Sequence, residues 1–253
     1  LSCAKTMSAV SKVKVPLTTI PRFQKEAAEI ALQMSQFSVD ELERLLRVNA
    51  KIAVENYKRY QAFHAETTPE LPALLAYTGI VFKRLNPKDF SAEDFGYAQE
   101  HLRLTSFCYG LLRPLDVIRA YRLEGDVVLP ELGNQTLFSY WRSRLTDTFI
   151  EDIRSAGGIL CNLASDEMKS LFDWKRVESE VRVVTPEFHV WKNGKLATIV
   201  VYTKMSRGEM TRFILKNKIG NPEELKGFSW EGFEFDESLS DERKLVFING
   251  MGE

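Results

Sequence analysis

Between Leu137 and Ser165 the chain passes from a long amphipathic helical pattern through Gly157-Gly158 into a short apolar strand, Ile159-Leu160-Cys161-Asn162-Leu163, and then to Ser165, a helix-capping residue type. Helix, strand and helix in immediate succession demand layers of both kinds, so the fold is α/β (mixed α+β). A β-hairpin follows. Apolar residues alternate through Val181, Val183 and Val184 toward Trp191, Asn193-Gly194 supplies the turn, and the return strand is expected over Leu196–Tyr202. A basic helix is expected from Ser206 to Asn217, with Met210, Phe213 and Ile214 on one side, and two short strands around Phe233–Phe235 and Leu245–Ile248 close the fold. With 253 residues, 44% of them hydrophobic, and neither internal repeats nor a linker composition, residues 1–253 are expected to form a single compact domain around a mixed sheet with a C-terminal β-hairpin.

The first third reads as helical. Pro21 suits a first turn, and Phe23, Ala27, Ile30, Ala31 and Met34 recur at near-helical spacing. Ser38-Val39-Asp40-Glu41 has the form of a capping box opening a helix through about Val48. After a break at Asn49, a third helix carries Ile52, Ala53, Tyr57 and Tyr60, so the two helices must fold back as a tight pair. Ser91 marks another helix start, and Leu102–Ser106 alternates like a strand.

Composition excludes several function classes. Cys3, Cys108 and Cys161 are odd in number and far apart, so no disulfide framework is implied and a reducing, cytoplasmic setting is expected. No run approaches the length of a membrane span, and no leader pattern is seen at the start. The chain opens on Leu1 in what reads as a strand end, so a few preceding residues are expected. Thirty-four Lys plus Arg against 35 Asp plus Glu give a net charge of −1, so any nucleic-acid surface must be a local basic patch. His101 and Cys108 lie seven positions apart, His64 and His189 are isolated, and neither a zinc spacing, a phosphate loop nor a nucleophile elbow is present. No catalytic residue, cofactor or metal ligand is therefore read from the sequence. Asp166 and Glu167 read as acids in the first turn of a helix capped by Ser165.

Several segments, in order, resemble the YaaA family. They are Leu1-Ser2-Cys3-Ala4-Lys5-Thr6, Tyr77-Thr78-Gly79-Ile80-Val81, the run from Leu102 to Asp116 with Tyr121-Arg122-Leu123-Glu124, Asn162-Leu163-Ala164-Ser165-Asp166-Glu167, Arg207-Gly208-Glu209-Met210-Thr211-Arg212-Phe213-Ile214, and Gly232-Phe233 with Phe235-Asp236. The chain departs from the family pattern at Cys3, at Phe107-Cys108 and at Met205-Ser206. The resemblance implies a role in resisting hydrogen peroxide damage, double-stranded DNA as partner, a helix-hairpin-helix element with an adjacent basic cleft, and no established reaction. It leaves the oligomeric state open.

On this sequence the hairpin corresponds to Val39–Tyr60, with Arg47, Asn49, Lys51 and Lys58 as expected phosphate contacts. The turn Val48-Asn49-Ala50 has no glycine, so Asn49 is the residue expected to tolerate a left-handed conformation. A second cationic set comprises Lys5, Arg103, Arg113, Arg119, Arg122, Lys204, Arg207 and Arg212, of which Lys5, Arg113, Arg122, Lys204, Arg207 and Arg212 are expected at the DNA. Arg113, Arg122 and Arg212 have the alternative of pairing with internal carboxylates such as Asp116 and Glu124, whereas Lys204 and Arg207 are expected beside a helix start after Ser206. The competing class is an enzyme on a phosphorylated or nucleotide-like substrate in the same cleft, which a deep pocket gathering Arg113, Arg122 and Lys204 would favour.

Overall fold

The structure is a computed structural model that describes residues 1–192 and 194–250. Helix α1 (Gln24–Met34) buries Ala27, Ile30, Ala31 and Met34 along one face. Ser38 opens α2 (Val39–Leu46) through a reciprocal capping box, in which the Glu41 amide donates to the Ser38 hydroxyl and the Ser38 amide donates to the Glu41 carboxylate at 2.8 Å. Helix α3 (Ala50–Ala62) starts after Asn49, whose Oδ1 accepts from the Ile52 amide at 3.0 Å.

The left-handed residue of this turn is Arg47 at φ 52°, while Asn49 is extended at φ −78°. The expectation placed the left-handed conformation at Asn49. Asparagine is among the best N-caps because its oxygen satisfies an otherwise orphaned amide, and that capping role requires an extended backbone.

The middle of the chain contributes short elements. Strand β1 (Glu70–Pro72) leads through α4 (Ala73–Ala76) and α5 (Ile80–Leu85) to α6 (Ala92–His101), which Ser91 and Asp94 open with a second capping box. Leu102 caps α6, so β2 (Leu104–Ser106) is shorter than the alternation implies; it pairs antiparallel with β3 (Gly110–Leu112). Strand β4 (Val117–Arg119) returns to β1, and β5 (Val128–Leu129) pairs with β6 (Gln135–Thr136).

Helix α7 (Leu137–Ser155) buries Tyr140, Trp141, Leu145, Phe149 and Ile153, and the Trp141 indole donates to the Phe107 carbonyl at 2.8 Å. Gly157 and Gly158 lie at φ 104° and 78°, a region costly for side-chain-bearing residues, and they turn the chain into β7 (Ile159–Cys161).

After α8 (Asp166–Lys169) and α9 (Trp174–Glu180) comes the longest strand, β8 (Arg182–Lys192), followed by β9 (Lys195–Ala197), α10 (Val200–Asn217), β10 (Phe233–Asp236) and β11 (Lys244–Asn249). The strand order is β10-β11-β8-β7, with β9 also on β8. β7 and β11 run parallel to β8, whereas β9 and β10 are antiparallel to their partners, which makes the sheet mixed as expected. Parallel neighbours require crossovers, and α8–α9 and α10 supply them.

The return arm of the hairpin is shorter than its β-branched composition implies. It stops at Ala197, and Val200, Val201 and Tyr202 form the first turn of α10, which therefore begins at Val200 rather than at Ser206. Asn193 of the expected turn lies outside the described residues. Tertiary contact overrides strand propensity here: Met210, Thr211 and Leu215 of α10 are buried, and once their packing forms the helix, adding upstream residues costs little. Gly208 lets α10 lie against α5, because a Cβ at that position would sit 2.3 Å from the Val81 carbonyl oxygen.

One hydrophobic cluster joins α1–α3 to α7 and α9, and a second, with Phe188, Phe228, Phe233 and Phe247, lies between the mixed sheet and α10. Among the described residues no helix is long and apolar enough to cross a membrane.

Candidate functional site

At the α2–α3 turn the first amides of α3 have no partner within the helix, and Asn49 occupies that of Ile52. Lys51 and Lys58 are exposed and seven positions apart, so they share one face of α3. The acids Asp40 and Glu41 sit at the far end of α2, while Arg44, Arg47 and Lys51 gather at the turn. Arg47 forms an ion pair with Asp126, and the Tyr60 hydroxyl donates to the Arg122 carbonyl at 2.6 Å. These two bonds anchor the helical hairpin to the segment from Arg122 to Asp126.

The second cationic set divides. Arg113 donates at 2.9 Å to Asp116, a carboxylate 1% exposed that also accepts from Thr19, and it reaches the Ile20 carbonyl as well. Arg212 grips Asp89 with both terminal nitrogens at 2.8 and 2.5 Å and donates to the carbonyls of Leu85 and Asn86. Arg103 is held by Asp152 and Arg119 by Glu70. These four bind parts of the fold together. Lys204 is exposed on α10, about one turn inside the helix. Arg113 is anchored on Asp116 and Arg122 lies beside Glu124, whereas Lys204 has no ion pair among the described residues.

A different polar cluster forms around Ser2-Cys3-Ala4-Lys5. Lys5 donates to Glu124 at 2.7 Å, and Arg122 lies 3.7 Å from the other oxygen of that carboxylate. Ser2 accepts from the Ser165 amide at 2.9 Å, so the start of α8 is pinned to this segment. Gly79 permits the approach on another side, since a Cβ there would come within 2.9 Å of the Ala4 Cβ. Arg207 lies in the field of Asp166, yet its side chain makes no hydrogen bond or ion pair among the described residues, and burial lowers its pKa from the ordinary arginine value. Asp166 itself is bonded to Lys169, which holds its pKa low.

Four buried polar atoms lack a hydrogen-bond partner among the described residues: Arg122 Nε, Glu124 Oε1, Ser206 Oγ and Arg207 Nε. The sequence reading offered Glu124 as an alternative structural partner of Arg122 and placed a helix start, and with it an anion site, after Ser206, whereas α10 begins at Val200. Glu124 lies inside a segment that resembles YaaA, which was the available signal, whereas Ser206 falls where the chain departs from the family pattern.

A family model described as peroxide stress protein YaaA matches residues 1–239. The chain belongs to the YaaA family. Relatives of this family named UPF0246 protein include one from Bacteroides thetaiotaomicron, 99% identical over 253 residues covering 100% of this chain and 98% of the relative, and one from Bacteroides fragilis, 78% identical with the same coverage. A more distant member, from Crocosphaera subtropica, is 38% identical over 249 residues, covering 98% of each chain.

Cys3 and Cys108 lie within YaaA-like segments, at positions where the chain departs from the family pattern, and Cys161 immediately precedes another. Desolvation by burial pushes Cys3 up to about 12, and the nearby carboxylates Glu167 and Glu124 add to the effect. Burial pushes Cys161 up to about 12 as well and Cys108 further still. All three are held as protonated thiols at neutral pH. Among the described residues no group of three or more His, Cys, Asp or Glu side chains is placed to hold a metal ion.

Proposed function

We propose that this chain acts in the response to hydrogen peroxide by binding duplex DNA through its phosphate backbone, with little dependence on sequence. The observation that carries the reading is the α2–α3 turn, where a 13-residue helix begins, capped by Asn49 at the Ile52 amide, beside the exposed Lys51, which has no ion pair among the described residues. Arg47, Asn49, Lys51 and Lys58 are the proposed hairpin contacts, and Lys5, Arg122, Lys204 and Arg207 extend the surface. Arg113 and Arg212, already committed to Asp116 and Asp89, contribute least. Family membership supports the peroxide role, and the absence of a base-reading element from this set supports backbone recognition.

The test is fluorescence anisotropy with a labelled duplex over a range of salt. If about four to six phosphates are neutralised, the log–log slope is expected at about −4 to −5. Lys51→Glu replaces attraction by repulsion beside a phosphate and is expected to weaken binding by about 1 kcal/mol at moderate salt, or about fivefold. Lys175→Glu on α9, an exposed lysine with no ion pair among the described residues, serves as the control. Salt-independent affinity, or equal affinity of wild type and Lys51→Glu, refutes the reading.

A further inference from the structure

Most arginines that this fold tucks into its interior are saturated. Arg103, Arg113 and Arg212 each combine a carboxylate with one or more backbone carbonyls. Arg207 is the contrast, since it is substantially buried and its side chain bonds to nothing described. Beside it on α10, Ser206 is 0% exposed with its hydroxyl unpartnered. Across the Ser2–Lys5 segment, Glu124 is 7% exposed, with one oxygen held by Lys5 and the other lacking a hydrogen bond.

Buried polar groups without partners are rare and costly, and two such pairs flanking one segment are not what packing alone selects. Several contacts draw the two sides together. Ser2 is bonded to Ser165, next in sequence to Asp166, whose charge acts on Arg207; Gly79 is packed on Ala4; and α5, which Gly79 opens, lies against α10 at Gly208. Cys3 feels both Glu124 and Glu167, which places those carboxylates around the same residue.

The unmet valences define the ligand. Two guanidinium N–H groups and a hydroxyl call for acceptor oxygens, preferably anionic, whereas Glu124 Oε1, 3.7 Å from Arg122 and without a hydrogen bond, can accept from an O–H or N–H donor. We propose that Lys5, Arg122, Glu124, Ser206 and Arg207 line a binding site for a phosphate monoester that also carries a hydroxyl or amino donor, the chemistry shared by sugar phosphates and nucleotides. Arg207 and Ser206 take the phosphate, and Glu124 takes the donor. Lys5, 57% exposed and bonded to Glu124, stands at the solvent side and orients the carboxylate. This site differs from the hairpin surface in requiring a carboxylate acceptor, which a surface for bare phosphates would avoid.

The experiment uses calorimetric titration and thermal melts of wild type, Arg207→Met and Glu124→Gln with inorganic phosphate, ribose 5-phosphate, dAMP and deoxyadenosine. Wild type is expected to bind ribose 5-phosphate or dAMP at least about tenfold more tightly than inorganic phosphate, because only the esters supply the donor. A preference between those two esters identifies the source of the ligand. Arg207→Met is expected to lose that binding by about tenfold or more while melting no lower than wild type, since it removes an unpaired buried charge. Glu124→Gln is expected to erase the preference for esters over inorganic phosphate. Binding of inorganic phosphate as tight as that of the esters, absence of binding by all four probes, or an Arg207→Met protein that melts lower yet binds normally would overturn the proposal. Lys5, Arg122 and Arg207 also belong to the proposed DNA surface, so Lys51→Glu separates the two readings: it is expected to weaken DNA binding and to leave ester binding unchanged.

Discussion

Asp94→Asn isolates one polar junction that holds α6 to α10. The carboxylate is 8% exposed and accepts from Lys216 at 2.8 Å and Lys218 at 2.5 Å, while its Oδ2 also takes the Ser91 amide of the capping box. Burial works to raise its pKa, but the two ammonium donors and the Ser91 amide outweigh it and hold the group well below the ordinary carboxylate value. The amide isostere keeps the shape and one acceptor for the cap, and loses both charge pairs.

Removing one partner of a buried pair costs about 3–5 kcal/mol. The lysine side chains here are 32% and 28% exposed and regain water when released, which lowers the expected loss. We expect a loss of about 2–3 kcal/mol, which for a chain of this length lowers Tm by about 4–12 °C. A folded-state pKa below the unfolded value means that the stabilisation is fully present above the unfolded pKa and is lost as pH falls through the folded one. The difference between wild type and Asp94→Asn in thermal melts should therefore be constant from pH 7 down to about 4 and shrink below it. A difference unchanged at pH 3, or a variant as stable as wild type at pH 7, refutes the reasoning.

Gly208→Ala forces a methyl against the Val81 carbonyl, so α10 must move off α5; a loss of about 1–3 kcal/mol is expected in urea unfolding, with Gly96→Ala, where the added methyl meets nothing, as the contrast. The thiols at Cys3 and Cys161, raised from 9.0 to about 12, should alkylate at pH 8 about a thousandfold more slowly in the native protein than in urea, as mass-spectrometric labelling would show. Rapid native labelling of either would contradict the burial that holds them protonated.

The features legible in the sequence were those closed within one or two turns of chain. The capping boxes at Ser38–Glu41 and Ser91–Asp94, the stripe of α1, the glycine pair before β7 and the strand pair near the C-terminus are local, because donor and acceptor, or apolar neighbours on one face, lie only a few residues apart. The cations of the hairpin were also visible, since a turn gathers its own flanking residues.

Only tertiary structure decided the rest. The run Ala197–Tyr202 is β-branched enough to read as strand throughout, and it becomes a helix start because the buried face of α10 propagates the helix upstream. Asp94 meets lysines 122 and 124 positions away, and Lys5 meets Glu124 across 119. The difference between Arg212, saturated by Asp89, and Arg207, buried with no bond of its own, cannot be read from two arginines five positions apart on one helix. Which one is left with unmet donors depends on what packs against each face, and that is set by elements distant in sequence.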